Sequence, residues 1–85
     1  MSCGIYCIEN KVNGKKYIGK SIDIQHRWKE HQMQLKNGNH INPYLQHSWD
    51  KYGDNSFEFS VLEECSKDIL NEREKYWIEF YNSFI

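Results

Sequence analysis

Residues 3–9, Cys-Gly-Ile-Tyr-Cys-Ile-Glu, alternate and are rich in β-formers, so the chain opens with a strand. Asn13-Gly14 follows, two residues that tolerate positive φ and therefore favour a hairpin. Lys16-Tyr17-Ile18-Gly19-Lys20 returns as a second strand. Ser21 or Asp23 can cap a helix running to about Asn37, and Gly38 sits where a left-handed residue ends it. Asn42-Pro43 starts a second helix, Pro being suited to a first turn, and Gly53 closes it. Phe57, Phe59 and Val61 alternate with Glu58 and Ser60 as a third strand, and Ser66 caps a last helix from Lys67 to near Tyr81. The order ββααβα predicts an α+β fold, a three-stranded antiparallel sheet flanked by three helices. With no repeat, linker or low-complexity segment, residues 1–85 read as one domain.

Two charged residues interrupt the apolar stripes of these helices. On the last helix Leu70, Trp77, Ile78 and Tyr81 recur at helical spacing, with Glu74 in their midst. Its neighbours one turn away are Leu70, Asn71, Trp77 and Ile78, so no cation on the same helix can pair with it. A carboxylate on an apolar face is costly unless a cation, metal or donor compensates. Either Glu74 reaches solvent or a distant Lys or Arg, or it is the single protein ligand of a Mg²⁺-like ion. Such ions are commonly held by one or two carboxylates plus waters and substrate phosphate. Arg27 repeats the pattern on the first helix, sharing a side with Ile24, Trp28, His31 and Leu35. Asp23 and Glu30 lie within one turn and offer surface pairing; the alternative is a guanidinium that clamps a phosphate, with His31 as a second donor. On the strands Gly4, Tyr6 and Ile8 point one way, and Tyr17 shares a face with Gly19. Two tyrosines beside two glycines are either ordinary sheet residues or leave room for a ligand to approach the backbone.

Composition changes this picture in three places. A chain of 85 residues buries only roughly 60–65% of its unfolded surface, so its aromatics, 15% of the residues, must fill much of the core. Cys3, Cys7 and Cys65 make no CxxC pair, and Cys3 and Cys7 would stand about 13 Å apart on an extended strand. All three are expected as small reduced hydrophobes. No run approaches the ~18 apolar residues of a membrane span and no secretory signal is evident, so the expected setting is cytoplasmic, without a membrane partner. The net charge of −1 conceals a division. Lys11 to Lys36 holds seven bases against two acids, a local +5, whereas Asp50 to Glu79 holds nine acids against four bases, a local −5. A basic half carrying His26, His31 and His40 suits a polyanion, while the overall balance implies a weak grip on DNA.

Taken together the scattered features form one pattern. Gly4-Ile5-Tyr6 and Tyr17-Ile18-Gly19, separated by ten residues, spell both halves of the motif that names the GIY-YIG nucleases. Arg27 and His31 in Arg27-Trp28-Lys29-Glu30-His31, and Glu74 in Asn71-Glu72-Arg73-Glu74-Lys75-Tyr76-Trp77-Ile78, fall where that family carries its helix arginine, histidine and metal-binding glutamate. Similarity extends through His40-Ile41-Asn42, Asp50-Lys51-Tyr52-Gly53 and Phe59-Ser60-Val61-Leu62-Glu63-Glu64. Over essentially its whole length the chain resembles this family, and within it the catalytic domain of phage and intron-encoded homing endonucleases.

The resemblance implies a metal-dependent endonuclease that hydrolyses DNA phosphodiester bonds at one active site per domain, with low intrinsic sequence specificity. Such hydrolysis needs an activated water, neutralised phosphate charge and a stabilised leaving oxygen. It implies one divalent ion, Mg²⁺ or Mn²⁺, on Glu74. Arg27 would stabilise the phosphate charge with His31 assisting, and Tyr6 would take the proton of the water with Tyr17 hydrogen-bonding nearby; the order of the two tyrosines stays open. A free tyrosine has a pKa of about 10, so roughly one in a thousand is ionised at pH 7. A base role thus needs the metal, Arg27 or Lys20 to favour phenolate, or a relay. Gly4, Gly19, Lys20 and His40 complete the expected substrate contacts, a surface loop histidine being the alternative for His40. Similar chains continue past the last helix into a Gly-Tyr-Asn segment, and homing-type members add a separate DNA-binding region. This sequence stops at Asn82-Ser83-Phe84-Ile85, so the expectation is a fragment or a domain lacking one supporting residue, its specificity supplied by a separate DNA-binding domain or protein. Two other classes compete. A non-catalytic DNA-binding or junction-recognising module would bind in a salt-sensitive, EDTA-resistant way without cutting, and a truncated inactive domain would do neither.

Overall fold

The most apolar stretch of the chain becomes the middle of the sheet. In the computed structural model, which describes residues 2–81, strand β1 (Gly4–Asn10) lies between β2 (Lys16–Ser21) and β3 (Phe57–Glu64), antiparallel to both. Helices α1 (Ile24–Asn37) and α2 (Pro43–Tyr52) cover one face, and α3 (Leu70–Tyr81) covers the other. The expected α+β architecture and its ββααβα order are therefore present. The terminal 82–85 segment, on which the expectation of a missing supporting residue turned, lies outside the described residues.

Burial along β1 departs from the expected alternation: Gly4, Ile5, Tyr6, Cys7 and Ile8 are all buried. A central strand sandwiched between helical layers has no solvent face, so both sets of side chains must be apolar. Tyr6, Ile8 and Tyr17 pack with Ile24, Leu35, Leu45 and Trp49 on the α1–α2 side. Ile5, Cys7 and Ile18 pack with Leu70, and with the half-buried Trp77 and Ile78, on the α3 side. Alternation along β3 also fails after Phe59. Ile5 stands opposite Glu63 and Tyr6 opposite Val61, so Leu62 is one residue too many, and this bulge turns Leu62 toward the α3 cluster while Val61 is exposed.

Local chemistry sets the element ends. Of the two candidate caps for α1, Asp23 does the work: its Oδ1 accepts from the His26 N–H at 3.3 Å, while Ser21 Oγ accepts from the Asp23 N–H at 3.0 Å. Gly38, at φ 75°, lets its own N–H reach the Leu35 carbonyl and that of Asn39 reach Gln34, closing the helix end. Asn42 Oδ1 accepts from the N–H groups of Tyr44 and Leu45 at the start of α2. Ser66 makes no side-chain cap bond; residues 67–69 form a 3-10 turn, and α3 begins at Leu70 rather than Lys67. The cysteines are free thiols, with burial pushing the Cys7 thiol up to about 11. No described helix is long and apolar enough to cross a membrane.

Candidate active site

One cavity of about 170 Å³ gathers residues from two strands, all three helices and the loop between α1 and α2. Tyr6 comes from β1, Tyr17, Gly19 and Lys20 from β2, Arg27 and His31 from α1, and Glu74 from α3; His40, Ile41 and Asn42 of the α1–α2 loop form the rim. The placement of Glu74 is the least obvious, because α3 packs on the opposite face of the sheet from α1. Glu74 enters the cavity past β2, an edge strand, where Lys20 meets it at 3.5 Å. The orientation of α3 is fixed one residue away: Glu63 Oε1 accepts from Arg73 Nε at 2.8 Å and from Trp77 Nε1 at 2.9 Å. Those two bonds, Trp77 first, hold the Glu63 carboxyl below its ordinary range.

The glycines of the two tripeptides make room inside the protein itself rather than for a ligand. A Cβ on Gly19 would stand 2.9 Å from Tyr6 Cε1 and nearer still to Cζ and Oη, so the missing side chain is what admits the Tyr6 ring. A Cβ on Gly4 would meet the backbone of β3, 2.9 Å from Glu64 Cα and closer to the Glu63 carbonyl oxygen. Gly4 is thus the seam between β1 and β3 and does not line the cavity, whereas Gly19 does.

Tyr6 is 4% exposed, its ring set edge-on to Trp28 with centroids 6.5 Å apart. Its hydroxyl lies 2.7 Å from His31 Nε2. Burial raises its pKa above the usual 10, opposed by the adjacent Arg27 guanidinium, so the resting group is a neutral phenol. His31, expected as a second donor to phosphate, instead turns both ring nitrogens inward: Nε2 to Tyr6, and Nδ1 to His40 Nε2 at 2.6 Å. Burial and the nearby His40 and Arg27 lower the His31 pKa to about 4. His40 is buried as well, its pKa lowered by desolvation, and its Nδ1 accepts from the Asn42 backbone N–H at 3.0 Å. Sequence reading missed this chain because the rings come from a helix and a loop with no fixed spacing. The Tyr17 hydroxyl turns to Ser48 Oγ at 3.3 Å.

The charged groups are held loosely. Arg27 has Glu30 at 3.7 Å, both side chains more than two-fifths exposed, so the pair competes weakly with an incoming anion. Glu74 has the distant cation foreseen as one of its two readings, Lys20, which also donates to Asn71 Oδ1. Among the described residues no three His, Cys, Asp or Glu side chains converge on a metal site. A lone, partly exposed carboxylate at a cavity fits a hard ion that keeps its waters and borrows substrate oxygens, as Mg²⁺ does, and does not fit a closed zinc site.

Comparison with known proteins gives a consistent result. The family model described as the GIY-YIG catalytic domain matches residues 2–84. Intron-associated endonuclease 1 of Enterobacteria phage T4 is 46% identical over 87 residues, an alignment that takes in 100% of this chain and 35% of that protein. The chain therefore spans about a third of the length of this curated relative. Among solved structures, the catalytic domain of homing endonuclease I-TevI superposes with a TM-score of 0.88 at 43% identity, covering 94% of this chain and 88% of that one. A mutant form of the catalytic domain of intron endonuclease I-TevI gives a TM-score of 0.89 at 43% identity, covering 96% and 86% respectively.

Proposed function

The chain belongs to the GIY-YIG family, and on that premise we propose that it is an endonuclease module that hydrolyses phosphodiester bonds of DNA, one per catalytic event. The observation that carries this reading is the single cavity into which Tyr6, Tyr17, Arg27, Lys20 and Glu74 all open, although they lie up to 68 positions apart in the chain. Phosphate hydrolysis needs cations around the reacting oxygens and a proton acceptor beside the water; the cavity holds Arg27 and Lys20 for the first, and Tyr6, once ionised, for the second.

Glu74 would hold one divalent ion, Mg²⁺ or Mn²⁺. When bound, such an ion neutralises phosphate charge and stabilises the leaving oxygen. The Arg27 guanidinium bonds the non-bridging oxygens, its weak pair with Glu30 costing little to exchange. Lys20, which pairs with Glu74 at 3.5 Å, would add a second positive charge beside the phosphate. Tyr6 receives the proton of the attacking water. It is favoured over Tyr17 for this role because its hydroxyl bonds His31 and feels the charge of Arg27, which favours phenolate, whereas the Tyr17 hydroxyl is engaged by Ser48. Tyr17 walls the cavity, with its hydroxyl bonded to Ser48. Sequence specificity comes from a separate DNA-binding domain or protein. The T4 relative extends well beyond the matched region, and a net charge of −1 gives this chain little affinity of its own.

Supercoiled-plasmid nicking with Mg²⁺ and with EDTA tests the proposal. The expected outcome is metal-dependent relaxation that Arg27→Ala and Glu74→Ala each reduce by roughly a hundredfold or more. Cleavage equal to wild type in both variants would show that the cavity is not where the bond breaks.

A further inference from the structure

The direction of every proton in the chain behind Tyr6 is fixed by one backbone group. The Asn42 N–H can only donate, so His40 Nδ1 must accept and carries no proton. A neutral His40 then holds its proton on Nε2 and donates it to His31 Nδ1, 2.6 Å away. His31 Nδ1, being an acceptor, leaves the His31 proton on Nε2, which points at the Tyr6 oxygen at 2.7 Å. The reverse polarity would require an imidazole with no proton on either nitrogen. A second proton on either ring would set two donors against each other. Both rings are buried, and the shifts of their pKa values agree with the neutral forms.

We propose that His40 is a positioning residue: anchored by the Asn42 backbone, it locks His31 as the Nε2–H tautomer, so that His31 donates a hydrogen bond to Tyr6 and is not the acceptor of its proton. For catalysis, and resting on the nuclease reading above, the consequence is specific. The Tyr6 hydroxyl proton faces the cavity and leaves to solvent there, giving a phenolate that His31 Nε2–H stabilises. That phenolate takes a proton from the attacking water as the water oxygen bonds to phosphorus; the bond from phosphorus to the leaving oxygen breaks, that oxygen takes a proton from solvent, and Tyr6 ends as the phenol it began as. His31 keeps its own proton throughout.

The test is a long-range ¹H–¹⁵N correlation spectrum of histidine side chains in the full 85-residue chain at neutral pH. Protonated and bare ring nitrogens are told apart directly, without reference to activity. The expected result is Nε2–H with bare Nδ1 for both His31 and His40; a proton on His31 Nδ1 overturns the proposal outright. His40→Gln keeps an N–H donor near the Nε2 position, whereas His40→Leu removes it. The Leu variant should lose the single tautomer at His31 and slow kcat for nicking by roughly tenfold or more with little change in KM, and the Gln variant should recover most of both. Equal behaviour of the Gln and Leu variants contradicts the donor role. Should the wild type fail to nick at all, the nuclease reading falls, while the tautomer spectrum still decides this inference.

Discussion

Gly19→Ala is the smallest change that should disable the site. The added Cβ would stand 2.9 Å from Tyr6 Cε1 and nearer to Cζ and Oη, where ordinary contact begins at 3.4 Å. Relief requires the phenol to retreat by about 1 Å, because the dispersion well is steeply repulsive inside contact. The ring has little freedom to do so, being packed against Trp28 and His31 and bonded to His31 at 2.7 Å. A retreat of that size carries the Tyr6 oxygen out of hydrogen-bond range of His31, and a misplacement of about 1 Å can cost roughly a hundredfold in rate. The stability cost is smaller: overpacking costs about 1–3 kcal/mol, partly offset by about 0.5–1 kcal/mol from replacing a strand glycine. Plasmid nicking at saturating substrate, with urea unfolding of the same samples, separates the two. If the loss acts through the Tyr6 hydroxyl, Gly19→Ala should cost little further activity in a Tyr6→Phe background. The reasoning is refuted if folded Gly19→Ala nicks within about threefold of wild type, or if its loss is undiminished in that background.

Gly4→Ala places its Cβ against the immovable backbone of Glu63 and Glu64, so the β1–β3 ladder must part; we expect a loss of about 3 kcal/mol or more by thermal melting, with a lower melting point and not merely a slower enzyme. Acid should weaken the fold through His31. With its folded pKa lowered to about 4 from an ordinary 6.5, its contribution is complete above pH 6.5 and lost as pH falls through 4. That is about 3 kcal/mol, and His31→Gln should remove that part of the pH slope in urea titrations at pH 7 and pH 4.

Most of the architecture was legible because it rests on local rules. Asp23, Gly38, Asn42 and Pro43 mark helix ends by what their own atoms can bond or what φ they tolerate, and they hold in the structure. Where tertiary context decides, the pattern misled. β1 is buried on both faces, the Leu62 bulge breaks the rhythm of β3, and Ser66 precedes a 3-10 turn instead of capping α3 directly. The site divided the same way. Glu74 and Arg27 stood out because a charge on an apolar stripe violates a one-dimensional rule. The proton chain from Asn42 to Tyr6 joins a loop, a helix and a strand, and the clasp between Lys20 and Glu74 joins an edge strand to a helix on the opposite face. No spacing along the chain announces such contacts.

The site stands or falls on one carboxylate holding a divalent ion in front of Tyr6 and Arg27. A Mn²⁺ titration followed by amide NMR reads this without any substrate, since the ion broadens signals near where it binds. Selective broadening at Gly19, Lys20 and the residues around Glu74 in the wild type, abolished in Glu74→Gln, is the result expected. Broadening that centres instead on other acidic residues, or that persists unchanged in Glu74→Gln, would contradict the metal site and with it the catalytic arrangement.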